Sequence, residues 1–412
     1  MVYLPAQAIA ALAASCVRMN VLSYDPSVGA SVWALRAYAP QRTTDASLAR
    51  LASHAPSSIT ALDLSGCTLV SDAGLCALLP VASRLAHLDL SLCPRISHVG
   101  LDAVARHGHA LLTATLPAPR PVPEGGHNGL LLMLADTAPD LVVLDIDGWV
   151  IQPSGLAALL TSASALEALT VSLRPGPGIT PIDDAAFVDI VQHVPPSLSS
   201  LELHYPTLLS AQSIAALLTY ATTLSRLSLH HASFPKLALT SGIARSLRVI
   251  QFNHVDVDDV GLASLVGTAP ALVHIEVRFC SYLSDAFLTT PFPTSLQSLI
   301  LMTCPISDEG VAHIAAQIPS LPRLLCLDFS HTNITAKALP ILTTVGKSVP
   351  YIGIADCAAI ASSAIIDFYH HRQKQLKRNA SFFLSRLDGA EPPSRFHTSG
   401  GSLRTDISFV EG

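Results

Sequence analysis

The sequence predicts a curved α/β solenoid of about thirteen stacked units of about 26 residues, with short parallel strands inside the curve and short helices outside. Three observations predict it. The stretch "LDLSGCTLVSDAGL" (Leu62–Leu75) returns as "LDLSLCPRISHVGL" (Leu88–Leu101) and as "LILMTCPISDEGV" (Leu299–Val311). Aligned on a short L-x-L core, the second apolar position falls at Ala37, Leu64, Leu90, Leu116, Ile146, Val171, Leu203, Leu229, Phe252, Val277, Leu301, Phe329 and Ile354, with gaps of 23 to 32 residues. Self-similarity at a fixed period of this size is the sequence mark of a repeat architecture. Finally, 50% of the 412 residues are hydrophobic and only 13% charged, against about 25% charged in an average soluble chain. That leaves ample apolar material for a long continuous core.

Within a unit, the alternating apolar positions make a short strand that buries every second side chain. A turn follows, then an apolar residue such as Leu69, Ile96 or Ile306, then a polar pair. Ser71-Asp72, Ser284-Asp285 and Ser307-Asp308 read as helix starts. The serine caps free backbone N–H groups and the acid faces the positive end of the helix dipole. Short Ala/Leu-rich helices such as "GLCALLPVAS" and "GVAHIAAQIPS" come next. No unit can bury its apolar face alone, so stacked units share one core.

Cys67, Cys93, Cys280, Cys304 and Cys357 each fall three residues beyond the second apolar strand position. That slot predicts a structural thiol inside the turn, with a weak hydrogen bond to turn backbone. No C-x-x-C pair or Cys/His cluster at zinc spacing argues for metal or catalysis. The eight cysteines lack the spacing of a small disulfide-rich domain, which predicts reduced thiols in the cytoplasm or nucleus. "LDLSGC", the "ISDEG" helix start and the period together resemble the cysteine-containing leucine-rich repeats. These are typical of F-box/leucine-rich-repeat proteins within the ribonuclease-inhibitor-like superfamily. The resemblance covers roughly Val32 to Ala361. It implies a leucine-rich-repeat horseshoe that binds a protein partner on its concave face, without catalysis or cofactor. In its most concrete form it implies the substrate-recognition subunit of an SCF-type ubiquitin ligase, acting in ubiquitin-dependent protein degradation.

In that family an F-box precedes the repeats. Here residues 1–31 carry Leu4-Pro5, then Ile9 and Leu12, with Val28 and Trp33 further on. The acid usual after Leu-Pro is replaced by Gln7, and "AIAALAAS" supplies alanines where large apolar residues would dock an adaptor. The segment reads either as an N-terminal capping helix or as a degenerate F-box. In the second case the resemblance makes Leu4, Pro5, Ile9 and Leu12 contacts for a Skp-type adaptor.

The repeats then run over residues 32–361. Strand residues pointing away from the core line the concave face. Their middle column is Arg36, Asp63, Asp89, Thr115, Asp145, Thr170, Glu202, Ser228, Gln251, Glu276, Ile300, Asp328 and Gly353, rich in acids. Around units six to nine the flanking columns add His204, Arg226, His230, Asn253, His274 and Arg278. This mix suits a polar, partly basic protein partner, with Glu202, Gln251 and Glu276 as the central contacts. The acids of "LDLS" are also ordinary in this repeat class. Two Pro/Gly-rich insertions, residues 117–129 and 174–184, leave from the same rim just after a strand. They read as partner-binding loops or as tolerated surface variation.

Residues 362–387 read as a C-terminal capping helix, with Ile365, Ile366, Phe368, Tyr369 and Leu376 closing the open core edge. Its basic run, His370, His371, Arg372, Lys374, Lys377 and Arg378, reads as a solvated face or a weak localisation signal. Residues 388–412 are Gly/Ser/Pro-rich and expected to be disordered.

Several classes are excluded. No apolar run approaches the roughly 18 residues that span a bilayer. Arg18 follows, rather than precedes, the apolar N-terminal stretch, against a secretory leader, so the sequons at Asn333 and Asn379 carry no weight. A net charge of −6 gives no basic face for nucleic acid. Phosphate-binding, zinc-protease, hydrolase and kinase motifs are missing; the seventeen histidines are scattered over the repeats, and neither His107 with His109 nor His370 with His371 has an Asp, Glu or Cys partner at ligand spacing. A non-enzymatic protein, monomeric outside its complex, is expected. Two alternatives stay open: a repeat regulator that binds an enzyme or small GTPase directly, and a scaffold without a ubiquitin link.

Overall fold

The computed structural model describes residues 19–21, 33–37, 40–54, 59–176, 178–234 and 244–378. Leu4, Pro5, Ile9, Leu12 and the expected disordered tail lie outside the described residues. One fourteen-stranded sheet runs in chain order. Strands β2 (Trp33–Ala37), β3 (Ile59–Asp63), β4 (His87–Asp89), β5 (Thr113–Thr115), β6 (Val143–Ile146), β7 (Ala168–Ser172) and β8 (Ser200–His204) form its first half. Strands β9 (Arg226–Phe234), β10 (Val249–Val257), β11 (His274–Arg278), β12 (Ser298–Met302), β13 (Cys326–Asp328) and β14 (Tyr351–Gly353) complete it. All of these pair in parallel with their sequence neighbours, one strand per repeat. The exception is β1 (Met19–Val21), antiparallel to β2 with Asn20 opposite Arg36. It covers the first edge, an addition that no repeat pattern announces.

The core is one continuous stripe, running unit by unit from Leu48 to Phe368. Each unit contributes the same positions: in the second, Leu62, Leu64, Cys67, Val70, Leu75 and Leu78 are all buried. The helix expected in every unit is not uniform. Ser284-Asp285 starts a five-residue 3-10 helix, Asp285–Thr289, and the described residues between β9 and β10 contain none.

The polar pairs do more than cap. Ser71 accepts from the N–H of Ala73, Ser97 from Val99 and Ser307 from Glu309, as N-caps do. The acid, however, reaches into the following unit. Asp72 accepts from the Ser97 backbone N–H at 2.8 Å and the Ser97 hydroxyl at 2.5 Å. The same pairing joins Asp45 to Ser71, Asp259 to Ser284, Asp285 to Ser307 and Asp308 to Thr335. The dipole reading of these acids is therefore incomplete: they tie consecutive helix starts into a relay. The glycine of "SDAGL" follows from this. A Cβ on Gly100 would stand 2.5 Å from Asp72 Oδ1, and one on Gly74 would stand 2.6 Å from Asp45 Oδ1.

In ten units the turn after the strand holds one residue in the left-handed region, two beyond the second apolar position; the two units with insertions, with Ala118 and Leu173 in that slot, do not. Leu92, Tyr205, His231, His254, Phe279, Thr303, His331 and Asp356 have φ of 52 to 59° there. Gly66 and Gly148 occupy the same slot in their units at φ 71 and 77°. A side chain in this conformation costs on the order of 1 kcal/mol. Leu92 is 81% exposed, so its side chain offers little in return. Leu92→Gly is expected to stabilise the fold by a few tenths to about 1 kcal/mol. A fall in the urea midpoint would contradict this account of the turn.

The next residue is the cysteine slot. All five thiols are buried and free. Cys93 Sγ donates to the Leu64 carbonyl at 3.1 Å, Cys304 to Val277 at 3.6 Å and Cys357 to Phe329 at 3.3 Å. Each acceptor is the second apolar strand residue of the preceding unit, so the sulfur links units as well as satisfying its own turn. Burial pushes Cys67, Cys93 and Cys304 up to about 11 and Cys280 to about 12, which leaves them unreactive thiols.

Both ends of the first insertion, residues 117–129, are anchored. Buried Trp149 donates its indole N–H to the Pro117 carbonyl at 3.0 Å. His127 and Val150 exchange two bonds: His127 N–H to the Val150 carbonyl at 2.7 Å, and Val150 N–H to His127 Nδ1 at 2.9 Å. At the far end, the helix Ser362–Arg378 closes the core with Phe368, while Ile366 remains exposed. Within the basic run, His370, His371 and Lys374 are exposed as a solvated face requires, and Arg372 is the exception. It is 4% exposed and donates to the carbonyls of Gly346, Val349 and Pro350. A buried arginine here supplies donors to backbone acceptors that no further repeat among the described residues covers.

Candidate functional site

The concave face carries two kinds of acid. Asp63, Asp89, Asp145 and Asp328 each accept the N–H two residues on, from Ser65, Ser91, Asp147 and Ser330, at 2.8 to 3.0 Å. These are local turns of the Asx type, part of how each repeat leaves its strand. Glu202 and Glu276 have a longer reach and build two side-chain clusters instead.

In the first cluster, Glu202 and His204 share a face of β8 because residues i and i+2 of a strand point the same way. Parallel register sets His230 of β9 directly beside His204. The two imidazoles stack with centroids 4.4 Å apart and planes 18° apart, close to the spacing of neighbouring strands. Glu202 Oε1 lies 2.9 Å from His204 Nε2 and 3.0 Å from His230 Nε2. The other nitrogen of His204, Nδ1, meets Asp147 Oδ1 at 3.3 Å. Ser172, small and in register with His204, stands on the strand between them. Burial alone would raise the Glu202 carboxyl, but the hydrogen bonds from both histidines prevail and hold it at about 2. His204 moves the other way. Burial works downward, yet Glu202, Asp147 and Asp145 together raise it. Asp145 is pushed up to about 6, first by burial and then by the Asp147 and Glu202 carboxylates, against the Asp147 N–H and the His204 charge. Glu202, His204 and His230 offer three metal-ligating atoms within 4.8 Å of one another.

The second cluster lies one unit on. Ser228 donates to Gln251 Oε1 at 3.0 Å, and Gln251 Nε2 donates to Glu276 Oε2 at 2.9 Å. His274 Nε2 lies 3.2 Å from the same oxygen, and the Arg278 guanidinium pairs with Glu276 Oε1. His274 and Glu276 are buried. Arg226 lies two residues before Ser228 on the same face of β9, and Asn253 Oδ1 meets His254 Nδ1 at 2.9 Å. The nine residues singled out on the concave face therefore fall into two satisfied clusters with Arg226 and Asn253 beside them, rather than one uniform polar strip.

A third feature has no counterpart in the sequence reading. The left-handed turn slot places Tyr205, His231, His254 and Phe279 in one row along the rim. Successive rings stack at 4.7, 4.8 and 4.4 Å, tilted by 5, 24 and 13°. Arg174, from the second insertion, covers the free face of Tyr205 at 3.9 Å, a cation–π arrangement. His231, His254 and Phe279 are exposed. Identical turn geometry, repeated at strand spacing, makes the row.

The histidines of these clusters have carboxylate partners. Glu202-x-His204 was legible as a pair, but its third member, His230, is 26 residues away, one full repeat. In a solenoid the repeat period is itself a contact spacing. Testing histidines at that offset would have found the cluster, and scanning the turn slot would have found the ring row.

A family model described as leucine rich repeat matches residues 55–79 and 292–315. Among solved structures, the chain is similar to the yeast Rad7–Elc1 complex, at 18% identity and TM-score 0.56, covering 78% of this chain and 82% of that one. It is also similar to an internalin of Listeria monocytogenes, at 17% identity and TM-score 0.44, covering 78% of this chain and 85% of that one. No curated protein matches in sequence. With one parallel strand per repeat, the family-model matches and the likeness to the Rad7–Elc1 structure establish the fold as a leucine-rich-repeat solenoid.

Proposed function

We propose that this leucine-rich-repeat solenoid is a non-enzymatic recognition protein that grips a protein partner along strands β8 to β11. The observation that carries the proposal is the coincidence of the two clusters with the exposed ring row at their rim. Aromatic side chains and arginine beside held polar groups are the composition of binding hot spots, and exposed stacked rings offer a partner large contact area at little entropic cost. In its finer form the chain is the substrate-recognition subunit of an SCF-type ubiquitin ligase, working in the cytoplasm or nucleus. There the repeats would hold the target while a Skp-type adaptor holds the N-terminus through Leu4, Pro5, Ile9 and Leu12. Support for an assembled partner comes from the yeast Rad7 neighbour, whose structure contains Elc1, and from the F-box/leucine-rich-repeat resemblance.

The test is capture by a purified Skp-type adaptor. The full-length chain is compared with Leu4→Asp/Ile9→Asp, which leaves β1 in place. Retention of the parent and loss of at least tenfold in the variant, with unchanged circular dichroism, is the expected result. Failure of the folded parent to bind would overturn the ligase reading and leave a recognition scaffold.

A further inference from the structure

We infer that Glu202, His204 and His230 form a binding site for one zinc-type divalent ion on the concave face. This stands independently of any adaptor.

The ligand set comes first. Two imidazole nitrogens and one carboxylate oxygen are donors zinc takes readily, and three protein ligands with one open position is a common zinc arrangement. Geometry comes second. Ligand atoms held roughly 2.0 to 2.1 Å from a tetrahedral ion stand roughly 3.3 to 3.4 Å apart. Here the carboxylate oxygen is 2.9 and 3.0 Å from the two Nε2 atoms. Side-chain rotations of a few tenths of an ångström open that space, with the strands left in register.

Orientation comes third. Asp147 faces His204 Nδ1 at 3.3 Å. That contact lacks hydrogen-bond alignment before the ion binds, but the carboxylate's charge favours a proton on Nδ1 once Nε2 ligates, the place a ligating histidine's second partner commonly takes. His230, stacked almost parallel on His204, directs its own Nε2 to the same carboxylate oxygen. Before loading, each Nε2 carries the proton it donates to Glu202; the ion displaces it, and the proton moves to the ring's Nδ1 or to solvent. Glu202 keeps 28% of its side chain exposed, so the fourth position opens onto the groove, where water or a donor atom from a bound partner completes the shell.

The neighbouring cluster supplies an internal control. Glu276 also meets a histidine, His274, but the Arg278 guanidinium occupies its second oxygen. A fixed positive charge there repels a cation. The same solenoid thus holds one carboxylate–histidine cluster open to a metal and one closed to it.

The experiment uses full-length protein stripped with a chelator and titrated with Zn²⁺ by calorimetry, and with Co²⁺ by visible absorption. One equivalent and a tetrahedral Co²⁺ spectrum are expected. Glu202→Gln and His230→Asn should each weaken binding at least tenfold, and Asp147→Asn by about 10-fold through loss of its hold on His204. His274→Asn should leave it unchanged. Should His230→Asn fail to fold, Glu202→Gln, equal in shape, carries the decision. Absence of binding overturns the inference. So does one equivalent bound equally well by the parent and Glu202→Gln, which would place the ion on other histidines.

Discussion

Asp72→Ala is expected to destabilise the protein by about 3 kcal/mol, read as a drop in the urea midpoint followed by far-ultraviolet circular dichroism. The carboxylate accepts three bonds from the next unit: the Ser97 N–H at 2.8 Å, the Ser97 hydroxyl at 2.5 Å and the Gly100 N–H at 3.0 Å. Hydrogen bonds to a charged group contribute roughly 1.5 to 3 kcal/mol each, and removing the acceptor strands their donors. Partial exposure of the site lets water recover some of that sum. Gly100→Ala is the sharper control. Alanine is the better helix former by about 1 kcal/mol, so without the relay the substitution would stabilise. With it, the new Cβ falls 2.5 Å from Asp72 Oδ1 and forces the carboxylate away. A loss of about 2 kcal/mol is expected from the clash and the weakened bonds. The double variant should lose less than the sum, because both changes remove one interaction. Strict additivity, or a stabilising Gly100→Ala, would sink the relay.

Glu276→Gln is expected to cost on the order of 3 kcal/mol at pH 7, a difference that closes in acid. Burial alone would raise this carboxyl. The His274 hydrogen bond, the Arg278 charge and the Gln251 amide outweigh it and bring the group from 4.5 down to about 2. A carboxyl held below its unfolded value stabilises the fold above that value, and the contribution is lost as pH falls through the folded one. Urea midpoints of parent and variant should differ most above pH 4.5 and converge towards pH 2. A gap independent of pH over that interval would mean that shape, not charge, holds the cluster together.

The repeat architecture was legible because the L-x-L core and the cysteine slot recur with little variation. Every parallel strand from Trp33–Ala37 to Tyr351–Gly353 follows from them. What stayed hidden was contact between units. Asp72 looked like a helix-dipole acid, yet its partners are Ser97 and Gly100, 25 and 28 residues on. Arg372 looked solvated within a basic run, yet it covers the last carbonyls of the solenoid. His204 and His230 looked scattered, yet register makes them neighbours. The antiparallel β1 had no periodic signal at all.

By itself the sequence determined the unit: which side chains alternate inward, where each turn falls, and that units must stack to bury their apolar faces. Those properties depend on residues a few positions apart, and periodicity records them. Only the tertiary structure decided which polar groups meet across units, because that depends on register and on the left-handed turn that turns four rings to one rim. The candidate site consists of such contacts. It exists where strands spaced at about 4.8 Å bring together residues separated by a whole repeat.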